Sequence, residues 1–308
     1  MLENFLTVGQ QVIILFLLIG VGYVCGKIHF IAEKTVADLS NLVLYIVFPC
    51  VMIHAFQREF DASLSTSFFY AFLLAAIMHI LAYIVARLTL HDADARRKSV
   101  YHYSILFPNC AFMGLPLLNA LLGSDGLFYG AAVLAVTLIF TWTLGVYIMN
   151  PGGALSWKKL LLNPGIIGVV IGLALFFTST TLPKVVATPI EYLAALNTPI
   201  PMLIIGFHLS HAKIGPILKN YRTWLASAER LLILPLLGVA TGLLLNMDAI
   251  PLLACTVSLC TPTAAMCTMF AVTYKQDTEL SVSIVSLNTL LSLISMPVII
   301  VLTQTVLA

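Results

Sequence analysis

The chain has 308 residues, of which 60% are hydrophobic and 9% charged, with a formal net charge of +2 and a mean hydropathy of +1.03. An ordinary soluble domain is about half apolar and roughly a quarter charged, so this composition excludes a water-soluble fold and points to an all-α integral membrane protein. No basic run exceeds Arg96-Arg97-Lys98, which leaves no footprint for nucleic acid.

A membrane-spanning helix needs about 20 mostly apolar residues. Charged or Pro/Gly-rich punctuation divides the chain into ten such stretches: 8–26, 36–56, 67–90, 99–122, 127–149, 159–179, 190–210, 224–246, 250–273 and 279–306. The first begins near Gln10 without a basic leader or a small-residue cleavage site, and reads as a retained helix. The second carries Phe48-Pro49-Cys50. The fourth holds Ser104-Ile-Leu-Phe-Pro-Asn-Cys-Ala-Phe-Met-Gly-Leu-Pro-Leu-Leu118, with Pro108, Asn109, Gly114 and Pro116 in nine positions. In the sixth, Gly165, Gly168 and Gly172 permit close helix contact or a homodimer through that span. The seventh carries Pro201, and the ninth Thr261-Pro262-Thr263.

Lys and Arg alternate across the connections. The odd-numbered ones hold Lys27, Lys34, Arg87, Arg96, Arg97, Lys98, Lys158, Lys159, Lys213, Lys219, Arg222 and Lys275; the even-numbered ones and the termini hold Arg58 and Lys184. The positive-inside rule then puts the odd connections in the cytoplasm and both termini outside, in the cell's inner (plasma) membrane.

Ten spans split into two halves, 1–150 and 151–308, and an odd number of spans per half inverts the second relative to the first. Ser104, Pro108 and Ala111 in span four recur as Ser258, Pro262 and Ala265 in span nine. Pro49 and Pro201 occupy matching places in spans two and seven. The expected fold is therefore ten transmembrane helices as two inverted five-helix repeats with crossed, proline-broken helices 4 and 9.

The breaks suggest chemistry. Proline removes an intrahelical hydrogen bond, and in lipid the freed backbone survives only inside protein or beside a wet cavity. Half-helix N-termini attract an anion, and orphan carbonyls can hold a cation. Asn109, with two donors and an acceptor, is expected to contact substrate. Thr261 and Thr263 contact it or merely cap the broken backbone. Pro108, Cys110, Ala111, Pro262 and Ala264 complete the expected substrate-binding set. A sodium ion held by carbonyls with Asn109 and Thr263 is the one metal alternative, and no cofactor is expected. The six cysteines lack metal-site spacing.

These residues resemble the auxin efflux carrier family, which includes plant PIN-FORMED carriers and bacterial malate permeases. Asn109 to Leu118 is similar to the family's span-four motif. Gly20 to Lys27, Leu42 to His54, Ala228 to Pro235, Thr261 to Ala265, Phe270 to Gln276 and Met296-Pro297 extend the likeness along the chain. The resemblance implies a fold shared with bile-acid and sodium/proton antiporter relatives. A scaffold domain would form from about 8–56 and 159–210, and a transport domain from about 67–149 and 224–306. It also implies crossover roles for Pro108 and Pro262, a substrate-facing Asn109, and a cavity-facing Met52. Ala135 stands where plant members have Gln, and apolar residues around Ala71-Phe72 where they have an acid, so a smaller organic anion than indole-acetate is expected.

Every Asp and Glu lies near a span end. Arg230 aligns with a family arginine and is expected to pair with Glu229, anchor at the interface, or attract anions. His54, His79 and His208 lie in or near span ends, and His79 reads as packed against a carbonyl. The function expected is a secondary transporter of organic carboxylate anions, by elevator-type alternating access and toward efflux. The alternative is a sodium- or proton-coupled carrier on the same fold. No protease-like or metal-like constellation is present, so an enzyme is not expected.

Overall fold

The computed structural model describes residues 2–153, 157–212 and 215–307; Lys213, one of the cations counted for orientation, lies outside them. Among the described residues the chain is helical throughout, with a single isolated bridge and no strand. In chain order the helices are α1 (Leu2–Lys27), α2 (Glu33–Leu42), α3 (Phe48–Ala55), α4 (Ala62–Thr89), α5 (Ala95–Leu106), α6 (Leu115–Phe140), α7 (Val146–Met149), α8 (Trp157–Leu161), α9 (Pro164–Phe177), α10 (Lys184–Ala195), α11 (Pro199–His211), α12 (Tyr221–Ala228), α13 (Leu234–Leu244), α14 (Ala249–Leu259), α15 (Met266–Thr273) and α16 (Thr278–Leu307). π-helical turns join α2 to α3, α6 to α7 and α12 to α13, and one precedes α6 at Cys110–Gly114.

Among the described residues, seven helical segments are long and apolar enough to cross a membrane, and Pro164–Phe177 and Ala249–Leu259 are shorter apolar helices. The sequence reading divides the same chain into ten. One difference lies at Cys110–Met149, a 40-residue stretch holding both the end of span four and the whole of span five. Straight, it would run about 60 Å, twice the hydrocarbon thickness. It is not straight: Gly123 has φ 57° and ψ −136°, a backbone that only glycine adopts without strain. Gly126 and Gly130 then pack back against Leu118. In an unbroken helix residues 118 and 130 would be about 18 Å apart, so the chain doubles back as a helical hairpin. Arg58 fastens the turn, donating to Asp125 Oδ1 at 2.8 Å and Ser124 Oγ at 3.1 Å, with its guanidinium 4.8 Å from the Phe128 ring centre.

Helix pairing follows small residues. α1 lies along α11, and a Cβ on Gly206 would overlap the α1 backbone at Ile19 and Tyr23; one on Gly22 would overlap Leu203. α9 lies along α3, where a Cβ on Gly168 would come within 2.8 Å of Pro49 Cα and one on Gly172 would strike Phe56. The span-six glycines thus serve contact within one chain, the first of the two roles open to them. Without a hydrophobic drive between helices in lipid, such close backbone approach is a main source of packing energy.

Candidate substrate site at the paired helix breaks

α5 stops at Leu106 because Pro108 cannot donate and restricts the residue before it; Phe107 is extended, with φ −104° and ψ 108°. Helix resumes in the π-helical turn at Cys110–Gly114, where the amides of Met113 and Gly114 both donate to Asn109 O, at 3.0 and 3.2 Å. The second break is built alike. α14 stops at Leu259, Cys260 to Ala265 are non-helical around Pro262, and α15 begins at Met266.

The two breaks meet. Pro108 and Thr263 form an antiparallel bridge, in which Asn109 N–H donates to Pro262 O at 2.7 Å and Ala264 N–H donates to Phe107 O at 2.9 Å. Backbone groups at each break are thus satisfied in part by the other, which lowers the cost of irregular backbone in an apolar surrounding. The threonine hydroxyls bond to backbone at the breaks. Thr261 Oγ1 donates to Ser258 O at 2.7 Å, and Thr263 Oγ1 donates to Ser104 O at 2.8 Å while accepting from Asn288 Nδ2 at 2.8 Å.

Arg230 sits elsewhere than the interface expected for it. Its side chain is 1% exposed and forms no ion pair with Glu229 among the described residues. Instead Nη1 donates to Ile105 O at 3.0 Å and Leu106 O at 3.3 Å, and Nη2 donates to Leu259 O. One guanidinium therefore holds the C-terminal carbonyls of both α5 and α14, the negative ends of the broken helices. The π-helical turn at Glu229–Ile233 carries it, a distortion common at functional positions.

The other expected residues divide. Asn109 is 4% exposed, and its side-chain amide makes no hydrogen bond among the described residues. Cys110 is buried beside it, while Ala111 and Ala264 are half-buried. Met52 is not brought to the breaks; it is fully buried in the α3–α9 contact. His79 packs as expected, its Nδ1 donating to Ala75 O at 2.8 Å and its ring stacked 5.0 Å from Phe140. Two asparagines escaped the sequence reading. Asn197, at the α10–α11 interruption, donates through Nδ2 to Ala111 O at 3.4 Å, and Asn288 in α16 supports Thr263. Both are at most 4% exposed with an unpartnered Oδ1. Their signal was a neutral amide midway along an apolar run, which a search for charges and prolines passes over.

Residues 7–156 and 153–300 match the family model described as a membrane transport protein. The chain belongs to the auxin efflux carrier family. It is similar to an uncharacterized transporter of Methanocaldococcus jannaschii, 24% identical over 92% of this chain and 94% of the relative. An uncharacterized transporter of Methanothermobacter thermautotrophicus is 23% identical over 94% and 96%. As in this family of membrane transporters, the chain is a multi-pass membrane protein that moves a solute, and no catalytic family is indicated.

Proposed function

We propose that this protein is a secondary carrier for organic carboxylate anions, working by elevator-type alternating access toward efflux. The observation that carries the reading is the pairing of the two proline breaks beside a buried Asn109 amide free to bind. The segments after the breaks start as helix N-termini, which favour a carboxylate, while Arg230 occupies the opposite, carbonyl-bearing ends. The fold belonging to this reading is ten spans in two inverted halves, with the helices holding Pro108 and Pro262 crossing at mid-membrane. The close α1–α11 and α3–α9 pairs support a scaffold of spans 1, 2, 6 and 7, against which the remainder slides. A scaffold homodimer would use the outward residues Ile167, Val170 and Ile171 of α9, because the glycines are engaged. Both termini face outward from the inner membrane.

Energetics favour an uncoupled carrier. A membrane potential supplies about 2.3 kcal/mol per charge per 100 mV, enough to expel an anion. A sodium ion would need the carbonyls that Arg230 holds and the Thr263 oxygen that Asn288 and Ser104 engage. Counterflow in proteoliposomes tests the proposal: unlabelled carboxylate trapped inside should accelerate entry of label, equally in sodium and choline media. The Asn109→Ala protein should insert normally and lose this exchange. Absence of trans-stimulation across a panel of mono- and dicarboxylates would refute the reading.

A further inference from the structure

The chain between α3 and α4 is tied to one part of the molecule and reaches for another. Gln57 Oε1 accepts from Leu182 N–H at 2.8 Å, and Ser179 Oγ accepts from Phe60 N–H at 3.2 Å; both partners lie in the connection between α9 and α10. Phe60 also packs on Phe176 and Phe177 of α9, with ring centres 5.5 and 5.9 Å apart. Arg58 therefore stands on the side of α3, α9 and α10. Its side chain crosses to the hairpin that turns at Gly123, where it donates to Asp125 and Ser124 and lies over the Phe128 ring. Asp125 and Phe128 are three residues apart and share a helix face, so one guanidinium grips both. Beside this grip the two sides meet through aromatic rings. Phe128 lies 5.5 Å from Phe56 and 5.1 Å from Phe176, and Phe68 of α4 lies 5.7 Å from Phe56. Phe56, Phe128 and Phe176 are fully buried. Apolar contact of this kind excludes water but is non-directional, so it sets no register between the two sides. A second side-chain hydrogen bond between them, Asn197 Nδ2 to Ala111 O, is long at 3.4 Å and correspondingly weak.

We infer that Arg58 is a latch between scaffold and moving body, holding the hairpin tip in this state and releasing it once in every transport cycle. This rests on the carrier reading above, in which α3 and α9 stay fixed while α4 and α6 move. Arg58 lies in an even-numbered connection, on the side of both termini. In that reading the latch shuts the outer side and biases the idle carrier to present its site to the cytoplasm, where a solute awaiting export is found. The pair is built to open. The Asp125 side chain is 45% exposed, so water replaces its partner readily, whereas a fully buried pair would be costly to part. An exposed ion pair and a cation–π contact together bias an equilibrium by about threefold to thirtyfold. The consequence is asymmetric, because apparent affinity at a face is reduced by the fraction of carrier presenting its site there. Losing the latch multiplies a small outward-facing fraction and scarcely changes a large inward-facing one.

The test uses full-length protein reconstituted in one orientation, with labelled succinate and phenylacetate as probes and KM measured from each face. Arg58→Gln should lower KM at the outer face about threefold to thirtyfold and leave it at the cytoplasmic face within about twofold. Asp125→Asn spares the ring contact and should lower the outer KM about twofold to fivefold; it reports on the same contact if Arg58→Gln inserts poorly. The double variant should go no further than Arg58→Gln alone, since both changes remove one interaction. Unchanged KM at both faces, an equal change at both, or additive effects in the double variant overturns the inference. If the unaltered protein exchanges neither probe, the carrier reading falls separately, and amide hydrogen exchange then decides the latch. Faster exchange in Arg58→Gln on both sides of the ring seam, at 126–132 and at 172–177, upholds it. Acceleration confined to 121–125 marks a local brace of the turn and overturns it, as does no acceleration.

Discussion

Replacing Arg230 by Met is the sharpest perturbation this fold offers. The substitution keeps an unbranched apolar stem and deletes the group that holds the Ile105, Leu106 and Leu259 carbonyls. Each is a helix-terminal carbonyl with no further helical turn to bond to. Leaving a buried acceptor unsatisfied costs about 1–3 kcal/mol, so three give a lower bound of about 3 kcal/mol. Against this stands the relief of no longer burying a guanidinium, itself worth several kcal/mol when unpaired. That relief does not cancel the loss, because the charge here is compensated by two helix ends, each equivalent to roughly half a negative charge. Arg230→Lys separates charge from geometry, since one ammonium keeps the charge but lacks a planar fork reaching both α5 and α14. The expected series is wild type, then Lys, then Met, in both heat resistance of the detergent-solubilised protein and counterflow rate. A Met variant with wild-type heat resistance and exchange would refute the assignment of Arg230 to the broken helix ends.

Three further outcomes are expected. Gly206→Leu should drive α1 from α11, since even a Cβ would overlap the Ile19–Tyr23 backbone; overpacking of this kind costs about 1–3 kcal/mol or more, read as lower yield and earlier thermal aggregation. Gly123→Ala has open space around its Cβ, so its cost is backbone strain alone, about 1–3 kcal/mol for a residue at φ 57°, and melting should fall without loss of transport specificity. Asp92, between α4 and α5, accepts from Arg97 at 2.9 Å and lies 3.6 Å from Arg222 of α12. Burial pushes its carboxyl up, but the hydrogen bonds from Arg97 and the Asp94 amide and the two arginine charges outweigh this and hold it below the ordinary carboxylate range. A lowered folded-state pKa stabilises above the unfolded value and is lost as pH falls through the folded one. Thermal stability should therefore drop below about pH 4 in the parent and show a smaller drop there in Asp92→Asn.

The location of the breaks was legible because proline has a fixed, local consequence, and Pro108 and Pro262 impose it wherever the helix goes. Membrane character was legible from composition for the same reason: each span's apolarity is a property of its own residues. The reversal between 122 and 127 was legible because Gly123, Ser124, Asp125 and Gly126 interrupt the apolar run, and the break falls there at Gly123. Arg230 was misplaced because hydropathy sets the depth of a charge from its neighbours in sequence. Its actual environment is three carbonyls on helices 29 to 125 residues away. Thr261 and Thr263 illustrate the same limit. Capping and ligand contact use the same hydroxyl, and its partners on Ser258, Ser104 and Asn288 come from the fold and not from the local sequence.

The division of labour at the breaks explains why so few polar side chains are needed. A broken helix exposes amides on one side of the gap and carbonyls on the other, and an isolated break in lipid would leave both unmet. Two breaks placed against each other satisfy part of each set through Asn109 to Pro262 and Ala264 to Phe107, and a single arginine takes carbonyls from both helices at once. What stays uncommitted is of both kinds: the Asn109 side chain, and the Oδ1 acceptors of Asn197 and Asn288. In the proposed carrier, selection of an anion would then rest on backbone polarity and on these few side chains together.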